Sequence, residues 1–407
     1  MRDDEMRNLL IGSIACVSLL IVGCGPTGGV DEEAGPSPEI GVTDTEILFG
    51  THTDLTGPIA LYGVESVNGV QMRFDEVNAA GGVHGRQLRF IVEDSQYDVT
   101  RSLSAANKLL NQDKIFAMLL ALGTPNNNAV LTQQLPLGVP NLFPLTGSIQ
   151  MGEPLHPLKF TQRGVYYTEM RYATNYFITN FQRERPCSIY IDNDFGFEVH
   201  SGVVDELEAM GLELMAYSSH KPTETEFTAA LVNLHDAGCD LVLLGTVLRD
   251  TILLLEGVRK MDWHDAIWVG NNAAAGRPVA GMESGASEGY YAMTHVLPVY
   301  PEDPSVPAEA LEWYHKYVEL YGAVPDVAAM EGYRGADLAV KALEIAGPDL
   351  TRAKFLAGLE SLANYEGIYG NTLTFGPTDH NGVDQSMIIQ VRNKRWVKLD
   401  GTIELGD

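Results

Sequence analysis

Cysteine is scarce in this sequence, with four in 407 residues. That is too few for a disulfide-framework fold, and no CxxC pair or Cys/His cluster offers a structural zinc site. Positive charge is scarce too. Lys and Arg number 27 against 54 Asp and Glu, a net charge of −27. A surface so acidic repels phosphate backbones and anionic headgroups, so nucleic acid is not an expected partner. No apolar run reaches the roughly twenty residues needed to cross a bilayer. Enzymatic signatures are missing as well: there is no GxSxG elbow, no HExxH and no phosphate-binding P-loop. The 10 histidines show no ligand spacing. Neither a metal nor a cofactor is expected, and His220, His264 and His380 read as surface residues.

What is present is an ordinary globular composition, 45% hydrophobic and 20% charged. The chain is too long for one core, which stops growing at roughly 250–300 residues, so two domains are expected. The N-terminus differs from the rest. Residues 9–22 are apolar, too short for a permanent span and the right length for a secretory h-region. Cys24 follows Ile21-Val22-Gly23, an order that resembles a bacterial lipobox, in which the cysteine is lipidated and becomes the mature N-terminus. The expectation is a lipoprotein signal peptide over 1–23 and a flexible tether over 24–43, whose stretch 25–37 has almost nothing to bury.

From Glu46 onward the apolar residues alternate between two periods. A strand is predicted over 47–53, then a helix with Val67, Val70, Phe74 and Val77 on one face and Gly81-Gly82 as its stop. Strands over 88–93 and 116–120 flank a helix carrying Leu103, Ala106 and Leu110. This βαβαβ series implies a parallel sheet with helices on both faces. The pattern then restarts. Strands over 188–192, 212–218, 241–244 and 266–270 alternate with helices marked by Val203, Leu207 and Met210, by Phe227, Leu231 and Leu234, and by Leu254 and Val258. Residues 307–346 read as helical, with Leu311, Tyr314, Val318 and Tyr321 on one face; strands follow over 372–375, 386–391 and 396–399. The fold class is α/β, with two doubly wound, Rossmann-like lobes. Cys187 and Cys239 precede the first and third strands of the second unit, which are neighbours in such a sheet. An oxidising compartment favours a disulfide between them if their Cα atoms lie within roughly 4.4–6.8 Å. The alternative is two small buried thiols.

Open parallel sheets bind ligands beyond the carboxyl ends of their strands, where loops and helix N-termini gather. The loops so marked are 54–63 and 121–128 in the first unit, and 193–198, 246–250 and 271–276 in the second. The candidate residues are neutral hydrogen-bonding groups and aromatics: Thr53, Thr56, Tyr62, Thr124, Asn126, Asn127, Thr146 and Ser148 belong to the first lobe, Phe195, Asn271 and Asn272 to the second. Such groups suit an anionic or polar small ligand held without covalent chemistry. Each Asn or Thr taken alone serves equally well as a helix cap or turn residue. The glycine-rich 81–85 stretch follows a helix rather than a strand and reads as a stop. Asp192-Asn193-Asp194 has calcium-like spacing that Phe195 and Gly196 break.

Several stretches resemble the type I periplasmic solute-binding proteins of the branched-chain amino acid family. They are Asp54-Leu55-Thr56-Gly57-Pro58 with Tyr62-Gly63, the run FDEVNAAGGVHGR from Phe74 to Arg86, Asn193-Asp194-Phe195-Gly196, Glu331-Gly332-Tyr333 and Phe375-Gly376-Pro377. The resemblance implies an extracytoplasmic receptor for an ABC importer permease, monomeric, anchored to the membrane by lipid at Cys24. Its two lobes would be joined by three hinge crossovers near Val165, Val296 and Gly370, making one lobe of 44–165 with 296–370 and another of 166–295 with 371–407. It also implies that the Gly123–Thr124–Asn126–Asn127 loop and the Thr146–Ser148 turn hold a ligand carboxylate, with Tyr62 and Phe195 covering it. Amino-acid binders carry an acid where this sequence has Asn272, and an amide cannot neutralise a buried ammonium. Arg163, beside Tyr166 and Tyr167, is placed to serve a carboxylate as a bidentate donor; Glu169 would instead suit a cationic ligand. The function expected is capture of a small polar or carboxylated solute, amino acid-like or an aromatic carboxylate. A sensing receptor of the same fold and an unrecognised enzyme are the alternatives.

Overall fold

Strand β1 (Glu46–Thr53) is buried along most of its length and pairs in parallel with β2 (Gln87–Asp94) over all eight residues. Between them helix α1 (Ala60–Ala79) stops at Gly81 and Gly82, with φ of 105° and 78°. A side chain at Gly82 would meet the Arg86 carbonyl at 2.1 Å, so the stop requires glycine on both counts. Helix α2 (Val99–Asn107) starts where the Asp98 side chain accepts from the Arg101 amide, and a π turn, Lys108–Gln112, extends it. Strand β3 (Ala117–Leu119), helix α3 (Thr124–Gln134), strand β4 (Asn141–Leu142) and strand β5 (Lys159–Phe160) complete a parallel sheet of order β2-β1-β3-β4-β5. The structure is a computed structural model and describes residues 39–368, 372–399 and 403–404. The expected signal peptide, Cys24 and most of the expected tether lie outside the described residues.

The second sheet repeats the scheme. Helix α4 (Tyr166–Phe181) leads to β6 (Pro186–Ile191), α5 (Asp194–Ala209), β7 (Ala216–His220), α6 (Thr228–Asp236), β8 (Leu241–Gly245), α7 (Leu248–Lys260), β9 (Ile267–Gly270), α8 (Arg277–Ala280) and β10 (Tyr291–Thr294). Asn193 caps α5 by accepting from the Gly196 amide, which gives the Asp192-Asn193-Asp194 run a structural role. Cys187 and Cys239 are disulfide-bonded, with Cα atoms 5.9 Å apart, across the adjacent edges of β6 and β8.

The chain then returns to the first core with α9 (Ala308–Tyr321), α10 (Val327–Ala346) and α11 (Arg352–Glu360). Helices α1 and α10 touch through glycine: a side chain at Gly69 would meet the Ala329 carbonyl at 2.1 Å, and one at Gly332 would meet the Ser66 carbonyl at 2.1 Å. Strand β11 (Gln385–Arg392) finally joins the second sheet antiparallel to β10, followed by β12 (Arg395–Lys398) and β13 (Ile403–Glu404). That sheet has the order β12-β11-β10-β9-β8-β6-β7.

Several expectations shift, among them the strand expected over 212–218, which runs from Ala216 to His220. Leu373, Phe375 and Val383 still pack in the first core, so the third passage comes just before β11, later than Gly370. Leu373 makes a single bridge to Tyr365 where a strand over 372–375 was expected. The inner line of α9 is Ala310, Trp313 and Tyr317; Leu311, Tyr314 and Tyr321 flank it half-buried. Finally, His220 and His380 are buried, whereas His264 is exposed, because β7 and the turn after Thr378 fold inward onto aromatic neighbours Phe227 and Phe160.

Candidate functional site: the cleft between the two sheets

A cavity of about 250 Å³ lies where the carboxyl ends of both sheets meet. The first sheet supplies Tyr62 at the start of α1, Gly123 and Thr124 at the start of α3, and Thr146 after β4; the second supplies Phe195 on α5 and Leu248 on α7. Arg163 reaches the wall from the passage between the lobes. All the strand-end loops marked from the sequence except 193–198's polar residues and Asn271–Asn272 contribute wall. Gly123 has a φ of 97°, and a side chain there would strike the Tyr97 ring at 2.6 Å, so only glycine lets α3 open its first turn onto the cavity.

Six of the expected residues line the cavity: Tyr62, Gly123, Thr124, Thr146, Arg163 and Phe195. Five do not. Asn126 donates to Ser102 Oγ at 2.7 Å, and Asn127 donates to the carbonyls of Ala121 and Gly123, so both stitch α3 to its own lobe. Asn272 donates to Glu169 and to the Gly164 carbonyl. Ser148 and Tyr167 line a neighbouring polar groove, and the Tyr167 hydroxyl points away to Asp205 at 2.7 Å. Tyr97 and Tyr166, not among the expected residues, do line the cavity. Tyr97 follows β2, a strand end of the same kind as those marked, and that position was the available signal.

The wall is mostly apolar, with Leu122, Leu145, Val247, Leu248 and Ile252 among its members. Among the described residues it contains no Asp or Glu. Its two charged side chains are both engaged: Arg249 with Asp250 and the Pro222 carbonyl, Arg163 with Glu331. Thr124 Oγ1 and Thr146 Oγ1 lie 2.6 Å apart, and the Ser148 amide donates to Thr146. These hydroxyls flank the first turn of α3, whose unpaired amides and dipole favour negative charge.

Behind the cavity two buried carboxyls knot the passages between the lobes. Glu331, on α10, lies 3.0 Å from Arg163 Nε, accepts from the Tyr62 hydroxyl at 2.6 Å and meets His295 Nε2 at 2.8 Å. Arg163 Nη2 also donates to the Tyr62 oxygen at 2.7 Å. Burial alone would raise the Glu331 carboxyl, but the Arg163 charge and the His295 hydrogen bond overcome it and hold it at about 2. Burial lowers His295 to about 4, so its ring is neutral. Glu169, on α4, meets Ser386 Oγ at 2.7 Å and accepts from Asn272 at 2.7 Å. Ser386 Oγ also lies 2.9 Å from the Thr294 carbonyl. A hydroxyl has one proton, so both Ser386 contacts are filled when Glu169 is a carboxylic acid that supplies the second. Burial raises Glu169 to about 7, in agreement.

The family model for periplasmic binding proteins matches residues 46–395. The chain belongs to the periplasmic binding protein family. This binding protein is 23% identical over 251 residues to the leucine-, isoleucine-, valine-, threonine- and alanine-binding protein of Pseudomonas aeruginosa, covering 61% of the chain and 66% of that relative, a little under two thirds of its length. It is 20% identical over 311 residues to Leu/Ile/Val-binding protein homolog 1 of Brucella suis, 74% of the chain and 79% of the relative. In fold it is similar to a fatty acid ABC transporter substrate-binding protein from Thermomonospora curvata, with a TM-score of 0.81, 24% identity and coverage of 90% and 95%. It is also similar to a branched-chain amino acid ABC transporter protein from Thermus thermophilus with bound valine, with a TM-score of 0.79, 16% identity and coverage of 88% and 97%.

The lobes of the binding protein also touch across the cleft. Asn128 on α3 donates to Asp194 on α5 at 2.8 Å, and the Ile149 amide donates to Glu198 on α5 at 2.8 Å. Burial raises the Glu198 carboxyl to about 7, against the pull of the Ser148 and Ile149 hydrogen bonds.

Proposed function

We propose that this periplasmic binding protein is an extracytoplasmic lipoprotein, anchored through Cys24, that acts as a monomer and hands its ligand to an ABC importer without transforming it. The ligand is a small carboxylate with an apolar body and no α-ammonium group. One observation carries the ligand class: among the described residues, no acidic side chain lines the cavity. An α-ammonium enclosed there would have no counter-charge, and an unpaired buried cation is costly. Glu169 does not serve, since it is turned onto Ser386 and Asn272. The carboxylate end is favoured by the first turn of α3 with Thr124 and Thr146, and the apolar walls take the body. At about 250 Å³ the cavity is below the roughly 300–1,000 Å³ usual for drug-sized ligands, so the guest is compact. The relative from Thermomonospora curvata is named for fatty acids, a class with a carboxylate and no ammonium.

A thermal-shift and calorimetric series on the purified protein tests this, with L-leucine, 4-methylpentanoate, benzoate, phenylacetate and octanoate. A ligand that binds only the folded form raises the melting temperature. The expected order places 4-methylpentanoate, which is leucine without its amine, above leucine. Tighter binding of leucine would refute the ligand class.

A further inference from the structure

Glu331 is not part of the cavity wall, yet two polar residues of that wall, Arg163 and Tyr62, both rest on it. We propose that Glu331 is a specificity-determining positioning residue, the internal counter-ion that neutralises Arg163 and aims Tyr62, so that the cavity grips an anion by dipoles rather than by a bare arginine. This rests on the carboxylate reading above.

The charge count around Glu331 supports it. Arg163 is 2% exposed and Glu331 0%, so neither charge is screened by water. Their ion pair is neutral, and His295 adds a donor without a charge. Gln162 donates to the Glu331 carbonyl at 3.0 Å and receives Arg334 on its own oxygen at 2.9 Å, so the second buried arginine is held one layer away through an amide. Tyr166, 3.5 Å from Arg163 Nη1, is the remaining polar neighbour in the wall. Two donors, the Tyr62 hydroxyl and His295 Nε2, therefore converge on the Glu331 carboxylate, and the Arg163 guanidinium lies beside it as its ion-pair partner. An amide at 331 offers one acceptor oxygen in place of two and no charge. Arg163 would then lose its nearest counter-ion, leaving Glu169 as the other carboxyl that acts on it, and an anionic guest would become a counter-ion at closer range.

The arrangement also ties recognition to the hinge. Arg163 stands on the first passage between the lobes and His295 at the end of the second, and both meet the same carboxylate of α10. Movement of Tyr62 or Arg163 on ligand entry is thus felt at two passages at once.

The test compares E331Q with E331D, measuring by calorimetry the affinities for 4-methylpentanoate and its isosteric amide, 4-methylpentanamide. In E331Q the acid-to-amide affinity ratio should rise about tenfold over wild type, the scale expected for one uncompensated charge in a poorly screened site. E331D keeps the charge, so its ratio should stay within about twofold of wild type even if its melting temperature falls. The double variant R163Q/E331Q removes both charges and should restore the wild-type ratio, which keeps the test open should E331Q fail to fold. An unchanged ratio in E331Q, or a ratio in R163Q/E331Q that falls about tenfold, overturns the proposal while leaving the carboxylate reading intact. A wild-type protein without preference for the acid overturns that reading and this inference together.

Discussion

Tyr62 and Glu331 stand 269 positions apart in the chain, yet the phenol donates a hydrogen bond to the carboxylate at 2.6 Å in the buried interior. The contact joins the first turn of α1, which covers the cavity, to the middle of α10, which holds the passages between the lobes. Packing of α1 on α10 through Gly69 and Gly332 makes that contact geometrically available. The cavity wall and the passages between the sheets therefore meet at one carboxylate.

Replacing Tyr62 by Phe should show this directly. Loss of the hydroxyl leaves one Glu331 oxygen without its donor and Arg163 Nη2 without its acceptor. Leaving buried polar groups unpaired costs about 1–3 kcal/mol. Chemical denaturation should show a loss of that size in Y62F, accompanied by weaker binding of 4-methylpentanoate, because the ring is no longer held over the cavity.

Thr146→Val tests the grip on the carboxylate. Valine preserves the shape but removes the hydroxyl that accepts from the Ser148 amide and pairs with Thr124. Affinity for 4-methylpentanoate should fall about tenfold, or roughly 1.4 kcal/mol, while 4-methylpentanamide is less affected. Calorimetry on both ligands checks it. Equal losses would mean that the hydroxyl only supports the turn.

Stability should decline as pH rises towards and through neutrality. In the folded protein burial holds protons on Glu169 and Glu198 up to about pH 7. In the unfolded chain a glutamate releases its proton near 4.3. The folded state therefore binds more protons through that window, and stability falls as pH rises through it. His52 and His295 act oppositely below about 6.5, since burial holds both near 4 and the unfolded chain takes up their protons first. Above about 6.5 the histidines are neutral in both states and the carboxyls decide the sign. Calorimetric melting should show a lower transition temperature at pH 8 than at pH 6.5. Glu169→Gln copies the protonated acid, donating to Ser386 and accepting from Asn272, so it should flatten part of this decline. A strongly destabilised E169Q at pH 8 would show that the site needs the charge.

Gly332→Ala should be destabilising by about 1–3 kcal/mol, the usual range for overpacking a tight core. Its new methyl would lie 2.1 Å from the Ser66 carbonyl, which is backbone and cannot swing away. Denaturant titration measures the loss. An unchanged midpoint would mean that α1 and α10 slide apart freely.

Much of the architecture was legible before any coordinates, because it is written in local periodicity. Val70, Phe74 and Val77 recur at helical spacing and are buried, β8 is a continuous apolar run, and β1 and β6 are buried along most of their length. Strand ends mark most of the cavity loops, and with them Gly123, Thr124 and Phe195; Thr146 lies outside the marked ranges and comes from the family resemblance. The same rule overcounted. Asn126, Asn127 and Asn272 sit in those loops but turn inward, since an amide satisfies backbone carbonyls as readily as it does a guest.

What the sequence by itself determined is the set of local elements and the loops they end in, because hydrophobic period, capping residues and glycine stops act within a few residues of one another. The chain order of those elements also implied a lobed α/β design. Only the tertiary structure decided which side chains share the buried interior: that Glu331 meets Arg163, Tyr62 and His295, that Glu169 meets Ser386, and that no acid among the described residues lines the cavity. These pairings join residues far apart in the chain, and burial couples their charges strongly by excluding water. Neither distance nor dielectric is encoded at any single position.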